Sequence, residues 1–213
     1  MPLPEGPDAS RERIVAAATT LFAEHGYDGT TTRGIAAAAG LNMATVAYHV
    51  GGKPDLYQEV MRRAHQAEQD ALGPALADFR SAARTDAPAA AAALVDRYLD
   101  FCLAQPHVPA LWMRRWLADA AEVADLEAAY ASPLIESVRD AVLAALPDRS
   151  AADVEMTVWT VLWSTHGFCR SGILDAAAVR RGPGDPASVA RFRAHLRGLV
   201  LHDLGLVPTE RQR

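Results

Sequence analysis

The feature that most constrains this chain lies between Thr31 and Gly52, where two very short helical stretches are each fenced by a cap and a glycine. Thr31 and Asn42 are residues whose side chains accept a hydrogen bond from a helix's first turn. Gly40 and the pair Gly51-Gly52 are residues that end one. Helices of about eight residues do not hold alone in water, so the two must pack on each other and on a third element. That element is upstream. Ile14, Ala17, Ala18, Leu21 and Phe22 recur at helical spacing from near Ser10 to a stop at Gly26. Ile35, Ala36, Ala39, Leu41 and Val46 would turn inward against Leu21 and Phe22, leaving Met43, Ala44, Thr45, Tyr48 and His49 outward. The pattern predicts a helix-turn-helix inside a three-helix unit.

After Gly51-Gly52 the chain reads as helix throughout. Pro54 suits a first helical turn, and a long helix is expected from there to about Leu72, ended or kinked at Gly73-Pro74. Further helices are expected at about 88–104, 108–121, 123–145, 151–173 and 187–204. Ser150 with Asp153 has the form of a capping box, and Ser132-Pro133 that of a cap and first-turn proline. Arg180 to Pro186 reads as a loop. No strand-like alternation, repeat or heptad run is found. The expected fold class is all-α, with a head at 1–53 (1–9 a loose tail) and a larger helical domain at 54–213.

Composition limits the function classes. The net charge is −5, and within 1–53 Arg11, Arg13, Arg33 and Lys53 face Glu5, Asp8, Glu12, Glu24 and Asp28. The head thus lacks the basic footprint usual for nucleic-acid binders, although helix N-termini also bind phosphate. Cys102 and Cys169 are too few for a disulfide framework and fit buried thiols in a reducing cytoplasm. The N-terminus has no signal-peptide pattern, and no long uncharged apolar run reads as a membrane span. His166 with Cys169, and His195 with His202, lack further metal ligands nearby. No phosphate loop, nucleophile elbow or catalytic set is found, so neither an enzyme nor a cofactor is expected.

In a helix-turn-helix the start of the second helix of the pair reads base edges in the major groove. That makes Met43, Ala44, Thr45, Tyr48 and His49 candidate contacts, with Met43 suited to a thymine methyl. The residues also carry a family resemblance. Ser10–Ala18, Leu21–Tyr27, Thr31–Ala36, Ala39–Leu41, Thr45–Val50 and Lys53–Tyr57 resemble the N-terminal domain of TetR-type regulators over about fifty residues. The resemblance implies that Thr32 and Arg33 touch phosphate or base, that Thr45, Tyr48 and His49 contact DNA, and that Lys53 holds a phosphate. One departure stands out. Most of the family has tyrosine where this chain has Ala47, whereas here the tyrosine is Tyr48, in a Tyr-His-Val-Gly-Gly-Lys run close to the Tyr-His-Phe-Gly-Gly-Lys of a subset.

The resemblance also implies a homodimer on double-stranded DNA with a pseudo-palindromic operator, released by a small effector. Repression is the family default. A seam on 151–173 and 187–204 is expected, with Gly167 allowing close approach and Val158, Leu162, Leu196, Leu199 and Val200 apolar. The aromatic pairs Trp112/Trp116 and Trp159/Trp163, with Phe101 and His166, are candidates to line a pocket for an apolar, aromatic effector. Tyr98 and Phe168 add to the aromatic set, and Arg115, Thr160 and Arg170 are further polar candidates. The same spacing also suits core packing. An activator on the same scaffold, a protein-interaction module and a ligand carrier are the rival readings.

Overall fold

The caps that the sequence assigns to the two short head helices, at Thr31 and Asn42, are made. The structure, a computed structural model, describes residues 7–207 except 118, 121, 122 and 124. Helix α1 (Pro7–Gly29) kinks at Gly26, where φ is +77°, a conformation that favours glycine. Of the tail expected at 1–9, residues 1–6 lie outside the described residues and Pro7 already opens α1. Helix α2 (Thr32–Ala39) starts under Thr31, whose Oγ1 accepts from the Gly34 N–H at 3.0 Å. Gly40 closes it in the left-handed region. Helix α3 (Met43–Val50) starts under Asn42, whose Oδ1 accepts from the Thr45 N–H at 2.8 Å.

The three head helices do not close their own core. Ile14, Phe22, Ile35 and Val46 are buried together with Leu56, Tyr57 and Met61 from helix α4 (Lys53–Ala82) and with Leu111 and Trp112 from helix α6 (His107–Trp116). Tyr57 meets Phe22 and Tyr27 edge-on, each at 5.1 Å. The packing unit therefore runs past residue 53 into α4 and takes in α6.

Helix α4 also runs past Gly73-Pro74, which does not end it. A proline inside a helix costs roughly 3 kcal/mol. Leu72, Leu76 and Phe79 on the same face are each buried, and each contributes about 1.5–3 kcal/mol by leaving water, so the continuous helix wins. Its far end packs into a second core with helices α5 (Ala87–Ala104), α7 (Ser132–Ala145), α8 (Ala151–Ser171) and α9 (Pro186–Asp203).

Three local expectations are corrected. Ser150 makes no side-chain cap bond, so the capping box with Asp153 is not formed; α8 is held by its buried face. Ser132 is not a cap either. Ala131 before it is already helical, because a π-helical turn at Glu127–Ala131 runs straight into α7. The capping oxygen there is Asp125 Oδ1, which accepts from Ala128 N at 3.1 Å. Finally, a minimal hairpin pairs β1 (Ile173–Leu174) with β2 (Arg180–Arg181), where only a loop is expected. Two-residue strands leave no periodicity to read. Asp175 builds the turn by accepting from Ala177 N and Val179 N, both at 2.9 Å.

Candidate nucleic-acid interface and effector cavity

The eight residues proposed to meet DNA stand on three consecutive helices. Thr32 and Arg33 open α2, Met43 to His49 occupy α3, and Lys53 opens α4. Only Val46 of α3 is buried. Tyr48 is 84% exposed, Met43 is exposed, and Arg33 and Ala44 are open to solvent. The Tyr48 ring stands edge-on to His49 at 5.1 Å. Two candidates are partly engaged. The Thr45 hydroxyl donates to Asn42 Oδ1 at 3.0 Å, and Lys53 Nζ lies 4.1 Å above the Tyr27 ring. The second contact is a cation–π pair that pins the head of α4 to the C-terminal end of α1.

The charge deficit counted over 1–53 is not removed by the start of α4, where Arg62 and Arg63 come with Asp55 and Glu59, but the acids are held away from α2 and α3. Glu59 on α4 accepts from Arg11 at 3.0 Å and from Arg62 and Arg63 at 2.8 Å. These bonds, Arg62's first, hold its carboxyl at about 2. Arg63 also bonds both oxygens of Glu12, so one of the head's acids is paired. The stretch Thr31–Lys53 contains no Asp or Glu at all. The surface offered by α2 and α3 is therefore neutral to positive although the chain is acidic.

The second site is a half-open cavity of about 100 Å³ between α4, α5, α7, α8 and α9. Its wall is almost wholly apolar, with Leu72, Phe79, Val95, Val138, Val158 and Leu162 among the lining residues and Glu68, Tyr98 and Thr157 the polar ones. None of Phe101, Trp112, Trp116, Trp159, Trp163 and His166 lines it. The tryptophans and His166 instead form one cluster between α6 and α8. Trp116 stacks on His166 at 5.0 Å and meets Trp159 and Trp163, each at 5.3 Å. Trp163 is 41% exposed, and Phe101 packs at the seam of two cores. Spacing puts two indoles on one helix face but does not say what that face meets.

Cluster and cavity touch at two hydrogen bonds. Trp112 Nε1 donates to Glu68 Oε2 at 2.9 Å, and the Tyr98 hydroxyl pairs with His166 Nε2 at 2.6 Å. Burial pushes the Glu68 carboxyl up to about 8 against that bond, and pushes the His166 imidazole down to about 3. Sequence reasoning missed Glu68. The signal was there, since Tyr57, Met61, Ala64, Glu68, Leu72 and Phe79 follow one helical stripe that is buried along its length.

Helix α6 links both sites. Two residues after Trp112, Arg114 donates to the carbonyls of Ala23 at 3.0 Å and of Glu24. Asp119 accepts from Tyr27 N at 2.7 Å. These contacts surround the Gly26 kink, where an added Cβ would lie 3.0 Å from both side chains. The buried Arg115 side chain forks onto Glu127 at 2.8 and 2.9 Å.

The dimer seam expected on α8 and α9 is corrected in its members. Leu196 and Val200 are buried in the chain's own core, and Val158 and Leu162 line the cavity. What remains outside is an open groove lined by Trp163, Gly167, Ile173, His195 and Leu199, with the buried Leu196 also in its wall, and Leu174 is exposed nearby. Among the described residues no three His, Cys, Asp or Glu gather as a metal site. No helix among them is long and apolar enough to cross a membrane.

Comparison with known proteins agrees with this geometry. Residues 14–60 match the family model of bacterial regulatory proteins, tetR family. Over 50 residues the chain is 44% identical to the HTH-type transcriptional dual regulator CecR of Shigella flexneri, covering 24% of this chain and 22% of that protein. Over 56 residues it is 38% identical to the HTH-type transcriptional repressor AcnR of Corynebacterium glutamicum, covering 26% and 30%. The matches thus span less than a third of these relatives' length. The fold extends further. A crystal structure described as a putative TetR-family regulator from Mesorhizobium loti superposes with a TM-score of 0.67 at 20% identity, covering 95% of this chain and 98% of that one. At that identity the likeness is one of fold.

Proposed function

We propose that this chain, a member of the TetR family of bacterial regulatory proteins, is a homodimeric transcriptional repressor that leaves its operator when a small apolar molecule fills the cavity. The observation that carries the reading is the double attachment of α6. Trp112 holds Glu68, the one carboxyl among the described residues of the cavity wall, and Arg114 holds the end of α1 in the DNA-binding head. A molecule that displaces Glu68 moves α6, and α6 moves the helix on which α2 and α3 are packed. Coupling of this kind is typically about 1–3 kcal/mol, or roughly 5–150-fold in operator affinity.

On DNA, α3 enters the major groove with Met43, Ala44, Thr45, Tyr48 and His49, while Thr32, Arg33 and Lys53 bind phosphates at helix N-termini. One eight-residue helix reads few bases, so two copies act together. The groove beside Trp163 and Ile173 is the surface on which the second copy sits, an isologous contact. Repression rather than activation follows the names of relatives such as AcnR.

The test is binding of the full chain to the DNA flanking its own gene, read by fluorescence anisotropy at two salt concentrations. Specific, steeply salt-dependent binding by a dimer is expected. Failure to prefer any fragment over bulk DNA refutes the reading.

A further inference from the structure

We infer that the cavity is built for a lipophilic amine, an apolar body bearing one ammonium group that pairs with the Glu68 carboxylate. The inference rests on the effector reading above and names the chemical class of that effector.

The argument starts from what the wall leaves unsatisfied. Glu68 is 4% exposed, and among the described residues the Trp112 N–H is its one hydrogen-bond donor. A carboxylate has about four acceptor sites, so most of its capacity faces an apolar space. The other polar groups of the wall are already engaged. The Thr157 hydroxyl donates to the Asp153 carbonyl at 3.0 Å, and Tyr98 is paired with His166. Among the described lining residues none is Lys, Arg or His. The groups around Glu68 are His65 one turn away on α4, Tyr98 and Cys102 on α5, Trp112 on α6, and His166 and Cys169 beyond Tyr98 on α8. Burial lowers both histidines and raises Tyr98 and both thiols, so all of them favour the neutral form.

A buried carboxylate without a countercharge is costly, and it takes up a proton instead. Burial does hold Glu68 at about 8. A neutral alcohol entering the cavity gains an ordinary hydrogen bond and leaves Glu68 protonated. A fatty carboxylate gains at most one hydrogen bond from the protonated Glu68 and leaves its own charge buried without a countercharge. An ammonium supplies the missing countercharge and expels the proton, giving a charge-assisted bond in a low dielectric. The rest of the wall fits an alkyl body. A dry cavity of about 150 Å³ accepts benzene, so about 100 Å³ holds roughly four carbons of a chain, and the half-open cavity lets a longer chain extend beyond it.

Hexylamine, 1-hexanol and hexanoate separate the classes by isothermal titration into the full chain. Hexylamine is expected to bind tightest of the three at pH 8. Its affinity should fall about 50-fold from pH 8 to pH 6, from the one-proton linkage. At pH 7 its binding should release close to one proton, read from the heats in two buffers. Glu68→Gln should abolish both the pH dependence and the preference for the amine. Hexanol or hexanoate binding as tightly as hexylamine, absence of hexylamine binding, or absence of proton release overturns the inference. The last two are measured on the native chain and do not depend on the variant folding. Operator binding separates the two claims. Hexylamine that binds with proton release but leaves operator affinity unchanged sinks the effector reading alone. Operator release by hexanol or hexanoate, without hexylamine binding, sinks the amine assignment alone.

Discussion

Replacing Glu68 by glutamine should stabilise this protein at alkaline pH and not at acid pH. The carboxyl is buried, and its folded value of about 8 stands against an ordinary 4.5. A folded value above the unfolded one means that the proton is held more tightly in the fold. The associated stability is complete below pH 4.5 and is lost as pH rises towards 8. At about 1.36 kcal/mol per pH unit, that difference amounts to roughly 4–5 kcal/mol, a large share of the ~5–15 kcal/mol that holds a typical domain. Glutamine is nearly isosteric and still accepts from Trp112 Nε1, but its amide brings N–H groups with no acceptor assigned to them. The variant should therefore be about 1 kcal/mol less stable than the native chain at pH 5. At pH 8.5 it should be more stable by about 3 kcal/mol or more. Urea denaturation of both proteins at half-unit pH steps measures the gap, and titrations shared by the two chains cancel in the difference. A gap that stays constant from pH 5 to 8.5 refutes the reasoning, because Glu68 would then titrate alike in the folded and unfolded states.

Other perturbations test the remaining links. Arg114→Ala removes bonds to two carbonyls at the end of α1. It should cost about 1–2 kcal/mol, or roughly 2–8 °C in Tm, and should uncouple operator release from cavity occupancy while hexylamine titration is unchanged. Tyr48→Ala, at an exposed position, should move stability by no more than about 0.5 kcal/mol yet weaken operator binding about ten-fold in anisotropy. Trp163→Glu puts a charge into the groove of α8 and α9 and should shift sedimentation at micromolar concentration from dimer to monomer, with far-UV circular dichroism unchanged.

The head was legible in the sequence because its determinants are local. A cap oxygen reaches only the next turn, and a left-handed residue ends a helix whatever surrounds it. Thr31, Gly40 and Asn42 therefore declared α2 and α3 before any packing was known, and Gly51 closed the second of them. The pattern of Ile14, Phe22, Ile35 and Val46 then marked the face that is buried. Where local signals were weaker, tertiary contacts overrode them. Pro74 failed to stop α4 because the turns on either side are buried, and Ser150 and Ser132 were passed over as caps because α8 and α7 are held by other contacts.

The sequence by itself determined that the chain is helical, that it carries a helix-turn-helix, and which side chains α3 turns to solvent. Tertiary structure alone decided where the head's core ends, what the tryptophans face and where the cavity lies. The physical reason is range. A helix stripe records that a face is buried but not against which partner, so the spacing that marked Trp112 and Trp159 did not say what they meet, and Glu68 on the stripe of α4 went unread. Only the meeting of α4 and α6 set an indole N–H against a carboxyl, and only the packing of five helices around a gap left that carboxyl facing apolar space.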